Sequence, residues 1–126
     1  MRIYHGSCHC GTVRFEIESD EITKVTECNC SICRKKGALF HRIPAEGLQI
    51  IGGEDALTHY QFNKRIAHHQ FCRHCGIHPF HRPRSAPDAF QINVRCLDDY
   101  DVATAAPEIV RFDGRNWETS FAALKR

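Results

Sequence analysis

Seven of the eight cysteines in this sequence fall into three tight clusters. The first is Cys8-His9-Cys10-Gly11, the second Cys28-Asn29-Cys30-Ser31-Ile32-Cys33, and the third Cys72-Arg73-His74-Cys75-Gly76. Cysteines one or two residues apart on a tight turn can both reach one ion, and zinc takes thiolate sulfurs in a tetrahedron at about 2.3 Å. A glycine just after the second cysteine lets the chain turn back and aim backbone N–H groups at the sulfurs. Gly11 and Gly76 stand at those positions. Seven ligands divide into four plus three rather than two closed sites of four. A four-sulfur site is saturated and structural. A three-sulfur site leaves one tetrahedral position open, the mark of a catalytic or ligand-binding zinc.

The second cluster alone supplies three thiols, Cys28, Cys30 and Cys33, and the other two supply a pair each, Cys8 with Cys10 and Cys72 with Cys75. The two pairs would close a structural site that ties the N-terminal strand to the Cys72–Cys75 knuckle. Spacing alone also permits a ribbon-type site using Cys28/Cys30 or Cys30/Cys33 with Cys72/Cys75, which leaves Cys8 and Cys10 as a loose pair. A disulfide framework is the third reading, but it wants a secreted chain. Met1-Arg2-Ile3-Tyr4-His5-Gly6-Ser7 lacks the apolar stretch of an export signal, so the expected compartment is the cytoplasm, where thiols stay reduced. A pair separated by one residue is also a strained disulfide.

The elements that must hold these sulfurs are mostly strands. Thr12 to Glu18 alternates, with Val13, Phe15 and Ile17 on one face, and Ala89 to Cys96 alternates with Phe90, Ile92, Val94 and Cys96 on one face. Cys96 is thereby expected to be a buried thiol. Leu48 to Ile51 runs into Gly52-Gly53 as a strand into a turn. Leu57 to Phe62 and Arg65 to Phe71 flank Asn63-Lys64 as a hairpin. Ile77 to Arg82 and Glu108 to Phe112 are further short strands, with Pro79 and Pro83 making the first short or an edge. Helix is expected only over Cys30 to Lys36, as one turn, and over Trp117 to Leu124. Many short strands joined by Gly, Pro and Asn turns predict a mostly β domain. The 126 residues, 14.5 kDa, suit one domain over 1–126, whose modest core metal ions would supplement. A hydrophobic share of 42% excludes a disordered chain. No apolar run approaches the roughly 18–20 residues of a membrane span. A net charge of +2, from 17 basic and 15 acidic residues, argues against a nucleic-acid partner.

Taken in order, Gly6-Ser7-Cys8-His9-Cys10-Gly11 with Val13 and Phe15, then Cys28-Asn29-Cys30-Ser31-Ile32-Cys33-Arg34-Lys35, then Phe71-Cys72-Arg73-His74-Cys75-Gly76, then Ile92-Asn93-Val94-Arg95-Cys96-Leu97-Asp98-Asp99 resembles the family of glutathione-dependent formaldehyde-activating enzymes and centromere protein V. The resemblance spans about residues 5 to 112. It implies a zinc-containing, β-tent-like arrangement of antiparallel sheets. It implies that Cys8, Cys10, Cys72 and Cys75 hold a structural zinc. Cys28, Cys30 and Cys33 then hold a second zinc whose open position accepts the thiol of glutathione. The implied activity is that of a carbon–sulfur lyase of the S-(hydroxymethyl)glutathione synthase type, joining glutathione and formaldehyde reversibly. The glutathione-dependent members are longer, with extra segments around the pocket, so the zinc ligands carry over more directly than the substrate.

The chemistry expected of such a site is thiol capture. A free thiol with a pKa near 8.5 is mostly protonated at neutral pH, and coordination to zinc favours its thiolate. Arg34 and Lys35, with Lys36, follow the three-cysteine cluster and are candidates to meet the carboxylates of glutathione. The bland alternative is a solvated basic turn. His41, His68, His69, His78 and His81 are candidates for proton transfer, against a structural role for each. His9 and His74 are expected to face solvent or hydrogen-bond rather than replace a cysteine. Asn93 and Arg95 either line the site or finish a sheet. The competing function is a non-catalytic zinc-binding interaction module.

Overall fold

The computed structural model describes every residue except 63, 64, 66, 85, 87, 125 and 126. In chain order the elements are β1 (Arg2–Ser7), β2 (Arg14–Ser19), β3 (Lys24–Cys28), α1 (Cys33–Lys36), β4 (Phe40–Pro44), β5 (Leu48–Gly52), β6 (Leu57–Tyr60), β7 (His68–Cys72), β8 (Phe80–Arg82), β9 (Ala89–Asn93), α2 (Val102–Ala105), β10 (Glu108–Phe112) and α3 (Trp117–Leu124). The strands form a small sheet in the order β1-β2-β5 and a large one in the order β10-β3-β4-β9-β8-β7-β6. No helix among the described residues is long and apolar enough to cross a membrane.

The small sheet lies against one face of the large one, and the alternation of apolar residues explains why. Tyr4, Phe15 and Ile17 point inward from β1 and β2, and Val25, Ile43, Phe80, Phe90 and Ile92 meet them from the large sheet. Phe15 takes the edge of Phe80 at 5.2 Å, and Phe80 that of Phe90 at 5.6 Å, so three aromatic rings weld the layers. Residues one place along each strand of the large sheet point the other way. That second face carries the site described below.

Expected and observed strands differ in instructive places. Ala89 to Cys96 pairs only as far as Asn93, then winds into a 3-10 turn over Val94–Cys96. Asn93 Oδ1 accepts the Arg95 N–H and so caps that turn. Val94 and Cys96 stay buried, so the alternation was a correct guide to burial beyond the end of the strand. The Ile77 to Arg82 segment contracts to Phe80–Arg82. It is short, yet it sits between β7 and β9 rather than at an edge. Pro79 and Pro83 lie just outside its paired residues and disturb no ladder. The hairpin of β6 and β7 forms in the register Leu57↔Cys72 to Tyr60↔His69, while the Asn63-Lys64 turn lies outside the described residues. One pairing is not antiparallel: β10 runs parallel to β3. The long chain between them supplies the crossover that a parallel pair needs. Strands β1, β3 and β4 carry no clean alternating signal and were not expected from pattern alone.

Replacing Phe80 with alanine removes the ring shared by both layers. Unfolding in urea is expected to show a loss of about 3–5 kcal/mol.

Candidate functional site

Two groups of sulfurs converge. Cys8, Cys10, Cys72 and Cys75 form one and Cys28, Cys30 and Cys33 the other, with all ligand atoms of each group within 4.8 Å of one another. In the first, Cys10 Sγ stands 3.6 Å from Cys8 Sγ and 3.7 Å from Cys72 Sγ. Sulfurs held tetrahedrally at about 2.3 Å from an ion are about 3.8 Å apart, so this spacing suits a metal. Cys8 and Cys10 come from the turn between β1 and β2, Cys72 from the end of β7, and Cys75 from the turn after it. The group therefore ties the small sheet to the far side of the large one. Gly11 and Gly76 adopt φ of 79° and 78°, and a side chain at either would meet no steric obstacle, so it is this left-handed turn that calls for glycine. The amides aimed at sulfur belong to other residues. Val13 N–H donates to Cys8 Sγ over 3.3 Å and His74 N–H to Cys72 Sγ over 3.4 Å. Burial pushes Cys8 up to about 11, whereas for Cys75 the opposing burial is outweighed by the Ile77 and Cys10 amides, which bring it to about 6. His9 and His74 are exposed and are no part of either group.

The second group is built where β3 ends. Cys28 closes the strand, and the helical turn that begins with the Arg34 N–H to Cys30 carbonyl bond sets Cys30 and Cys33 three residues apart on one face. Cys33 N–H also donates to Cys30 Sγ over 3.4 Å. Hydrogen bonds from Cys28 and then Cys33 push Cys30 down to about 2, while those with Cys28 and then Cys30 hold Cys33 far above the usual thiol range. The three thiols share protons as a unit. Gly114 completes the cradle. A Cβ there would lie 2.6 Å from Cys28 Sγ and 2.8 Å from Cys30 Cβ, so only glycine lets the chain pass this close. Nothing in the sequence around Gly114 announces this. The four-sulfur and three-sulfur donor sets are both consistent with zinc.

The three-sulfur group opens onto a cavity of about 680 Å³ on the second face of the large sheet. Arg42, Arg65, Arg84, Arg111 and Arg115 line it, and among the described lining residues there is no aspartate or glutamate. Phe40, Phe62, Phe112 and Trp117 supply apolar wall. Arg84 lies over Trp117 at 3.8 Å and pairs with Glu118, while Arg111 pairs with Glu27 at 3.3 Å. The floor is a cross-strand row in register, His69↔His81↔Gln91↔Arg42, from β7, β8, β9 and β4. His69 and His81 are 3% and 6% exposed and stack at 4.8 Å. Lys36 Nζ donates to His69 Nδ1 over 2.9 Å, which leaves the ring proton on Nε2. Burial lowers Lys36 to about 8 against the opposing charges of Cys33 and Cys30. Burial, then the Lys36 charge, lowers His69 to about 4 and keeps His81 well below the ordinary range.

Of the remaining candidates, Arg34 and Lys35 are exposed on α1 and do not line the cavity. Lys36 is the residue three places after Cys33, and that helical offset turns it inward. His69 and His81 line the cavity. His41 is bound to Ser19 Oγ at 2.7 Å, and His68 meets Gln61 Nε2 at 3.2 Å. His78 stacks on Phe71 at 5.1 Å. Asn93 caps its turn and donates to the His78 carbonyl, and Arg95 is exposed, so this pair finishes the sheet. Cys96 is buried, which pushes its thiol up to about 12.

A mostly β domain with one closed and one open cluster of thiols defines a recognisable class. The sequence profile of the glutathione-dependent formaldehyde-activating enzymes matches residues 3–114, and the chain belongs to that family. A crystal structure of a Rhodobacter sphaeroides protein superposes with a TM-score of 0.78 at 36% identity, covering 83% of this chain and 97% of that one. A Halomonas elongata protein, named provisionally as a glutathione-dependent formaldehyde-activating enzyme, is 52% identical over 33 residues. That match covers 26% of this chain and 21% of the relative, so the chain spans about a fifth of the length of the curated relative it matches.

Two outcomes are expected. Gly114→Ala should displace Cys28 and lower the metal content of zinc-supplied protein by up to one ion per chain relative to the unaltered chain, with far-UV circular dichroism unchanged. A variant with unaltered metal content would show that the Gly114 contact is dispensable. The second outcome concerns pH. Burial, then the Lys36 charge, lowers His78 to about 4, as it does His69, against an ordinary 6.5. Between these values the unfolded chain binds more protons, so stability is full above 6.5 and falls as pH drops towards 4. His78→Phe keeps the stack on Phe71 and should flatten the fall of unfolding free energy measured in urea across that range. An unchanged slope would count against a buried neutral His78.

Proposed function

We propose that the chain is a zinc-dependent carbon–sulfur lyase that forms and cleaves a thiol adduct, S-(hydroxymethyl)glutathione from glutathione and formaldehyde. The observation that carries this reading is that Cys28, Cys30 and Cys33 converge beside a cavity walled by arginines and bare of acidic lining. Cys8, Cys10, Cys72 and Cys75 would hold the closed structural zinc. Cys28, Cys30 and Cys33 would hold the second, which when bound favours the thiolate of a thiol at its open position.

The chain's own residues do the rest. The arginine wall draws in a molecule with two carboxylates, and guanidinium groups meet carboxylates in a fixed two-point geometry. The same positive field favours a thiolate over a thiol. Phe40, which packs in the cluster with Cys33, and Phe62 and Trp117 give the cavity apolar wall, and such wall strengthens the charge interactions beside it. As sulfur attacks, the S–C bond forms, the carbonyl π pair moves onto oxygen, and the proton lost by the thiol returns to that oxygen. Thiol and aldehyde thus balance the adduct with no further reactant. The reverse order cleaves it. The addition also proceeds unaided, so the acceleration demanded of the protein is modest.

The test is exchange spectroscopy by NMR on glutathione and formaldehyde with zinc-supplied protein. Exchange between glutathione and its hydroxymethyl adduct should exceed the buffer rate. Cys30→Ser, which leaves the four-sulfur group intact, should reduce the excess by about 10–100-fold. Exchange no faster than in buffer would overturn the reading.

A further inference from the structure

Two buried polar atoms on the cavity floor have no hydrogen-bond partner among the described residues, His81 Nδ1 and Gln91 Oε1. An unpaired buried donor or acceptor costs about 1–3 kcal/mol, so native structures rarely keep one without a use. These two are neighbours. His81 and Gln91 are directly paired across β8 and β9, and both line the cavity. Side chains at such positions start about 4.5–5.5 Å apart and serve one small group between them.

The ring of His81 is also held in place. It stacks on His69 at 4.8 Å and presents to Phe40 edge-on at 4.7 Å, so it is not free to swing towards another partner. Phe40 in turn packs in the apolar cluster that contains Cys33 and is flanked by Cys28 and Cys30. The orphan pair and the sulfur group therefore share one wall of the cavity.

We propose that His81 and Gln91 form a hydroxyl-binding pair that recognises the S-hydroxyalkyl group of the adduct. This rests on the thiol-adduct reading above and adds to it the residues that tell adduct from plain thiol. A hydroxyl both donates and accepts, so with the ring proton on His81 Nδ1 one group accepts from the ring and donates to the amide oxygen. An aldehyde oxygen only accepts and would leave Gln91 Oε1 unpaired. A methyl group in the same place pairs with neither. The arginine wall binds the ends of the molecule, and this pair reads the carbon newly attached to sulfur.

The experiment compares S-(2-hydroxyethyl)glutathione with S-propylglutathione, which differ by hydroxyl against methyl and keep the same charged ends. Binding to zinc-supplied protein is followed by the fluorescence of Trp117, the sole tryptophan and a cavity residue. The hydroxyl compound should bind about tenfold more tightly, the upper range for a neutral hydrogen bond. His81→Phe and Gln91→Met should each cut that preference to less than twofold and leave S-propylglutathione affinity unchanged. The comparison in the unaltered protein stands even where a variant fails to fold, which its zinc content would reveal. Equal affinity for the two compounds overturns the hydroxyl pair alone. So does a preference that survives either substitution in a folded variant. Failure of both compounds and of glutathione itself to bind overturns the glutathione reading, and this inference falls with it.

Discussion

The structure depends first on the convergence of Cys8, Cys10, Cys72 and Cys75. These sulfurs come from the β1–β2 turn and from the β7 knuckle, segments far apart in sequence, and Cys10 Sγ meets Cys72 Sγ across them at 3.7 Å. The apolar core at this end is small, with Val13 and Ala56 buried beside Cys8 and Cys72 and Leu57 packed against them. Hydrophobic burial alone gives such a corner little hold, whereas a four-thiolate site ties two sheets at one point. With that corner fixed, the inner face of the large sheet is committed to the small sheet, and its outer face is released for other use.

The large sheet is thus a divider. Its inner residues are those of a core: Val25, Ile43, Phe80, Phe90 and Ile92. Its outer residues, one place along, are Cys28, Arg42, Gln91, His81 and His69. Period-two alternation places chemistry and packing on opposite sides of the same strands. The rigidity of the packed side therefore passes directly to the functional side. Buried histidines and a glutamine on the floor run against the preference for apolar interiors. They are supported by stacking and by the Lys36 bond, and this departure from local rule is where function is expected to sit.

Much of this was legible in the residues. The three cysteine clusters announced both sulfur groups, because ligand spacing is a local property that folding preserves. Alternation located β2 and the burial of Phe90, Ile92, Val94 and Cys96, and the Gly52-Gly53 turn marked β5. Other features were illegible for physical reasons. Gly114 touches Cys28 only because β10 returns to lie parallel to β3, a long-range pairing that leaves no local mark. The cavity arginines come from β4, β10 and three separate connections, so no run of positive charge betrays them. Arg34 and Lys35 formed such a run, but one helical turn carries both to solvent and brings Lys36 inward. His69 and His81 were indistinguishable from the other histidines until the register of β7 and β8 placed them face to face.

The charge pattern around the open sulfur group follows one logic. A thiolate needs enough positive potential to exist at neutral pH, but too much lowers its basicity and with it its nucleophilicity. The arginines sit on the walls, where they serve the ends of a ligand. At the sulfurs themselves the near cation is Lys36, buried and kept partly charged by Cys33 and Cys30. That same ammonium, after burial itself, keeps His69 and His81 unprotonated. The floor therefore offers neutral imidazoles, which form hydrogen bonds without adding charge. A row of arginines there would stabilise the thiolate beyond use, and a row of apolar residues would leave the new oxygen unmet. Neutral, stacked histidines beside a glutamine avoid both faults.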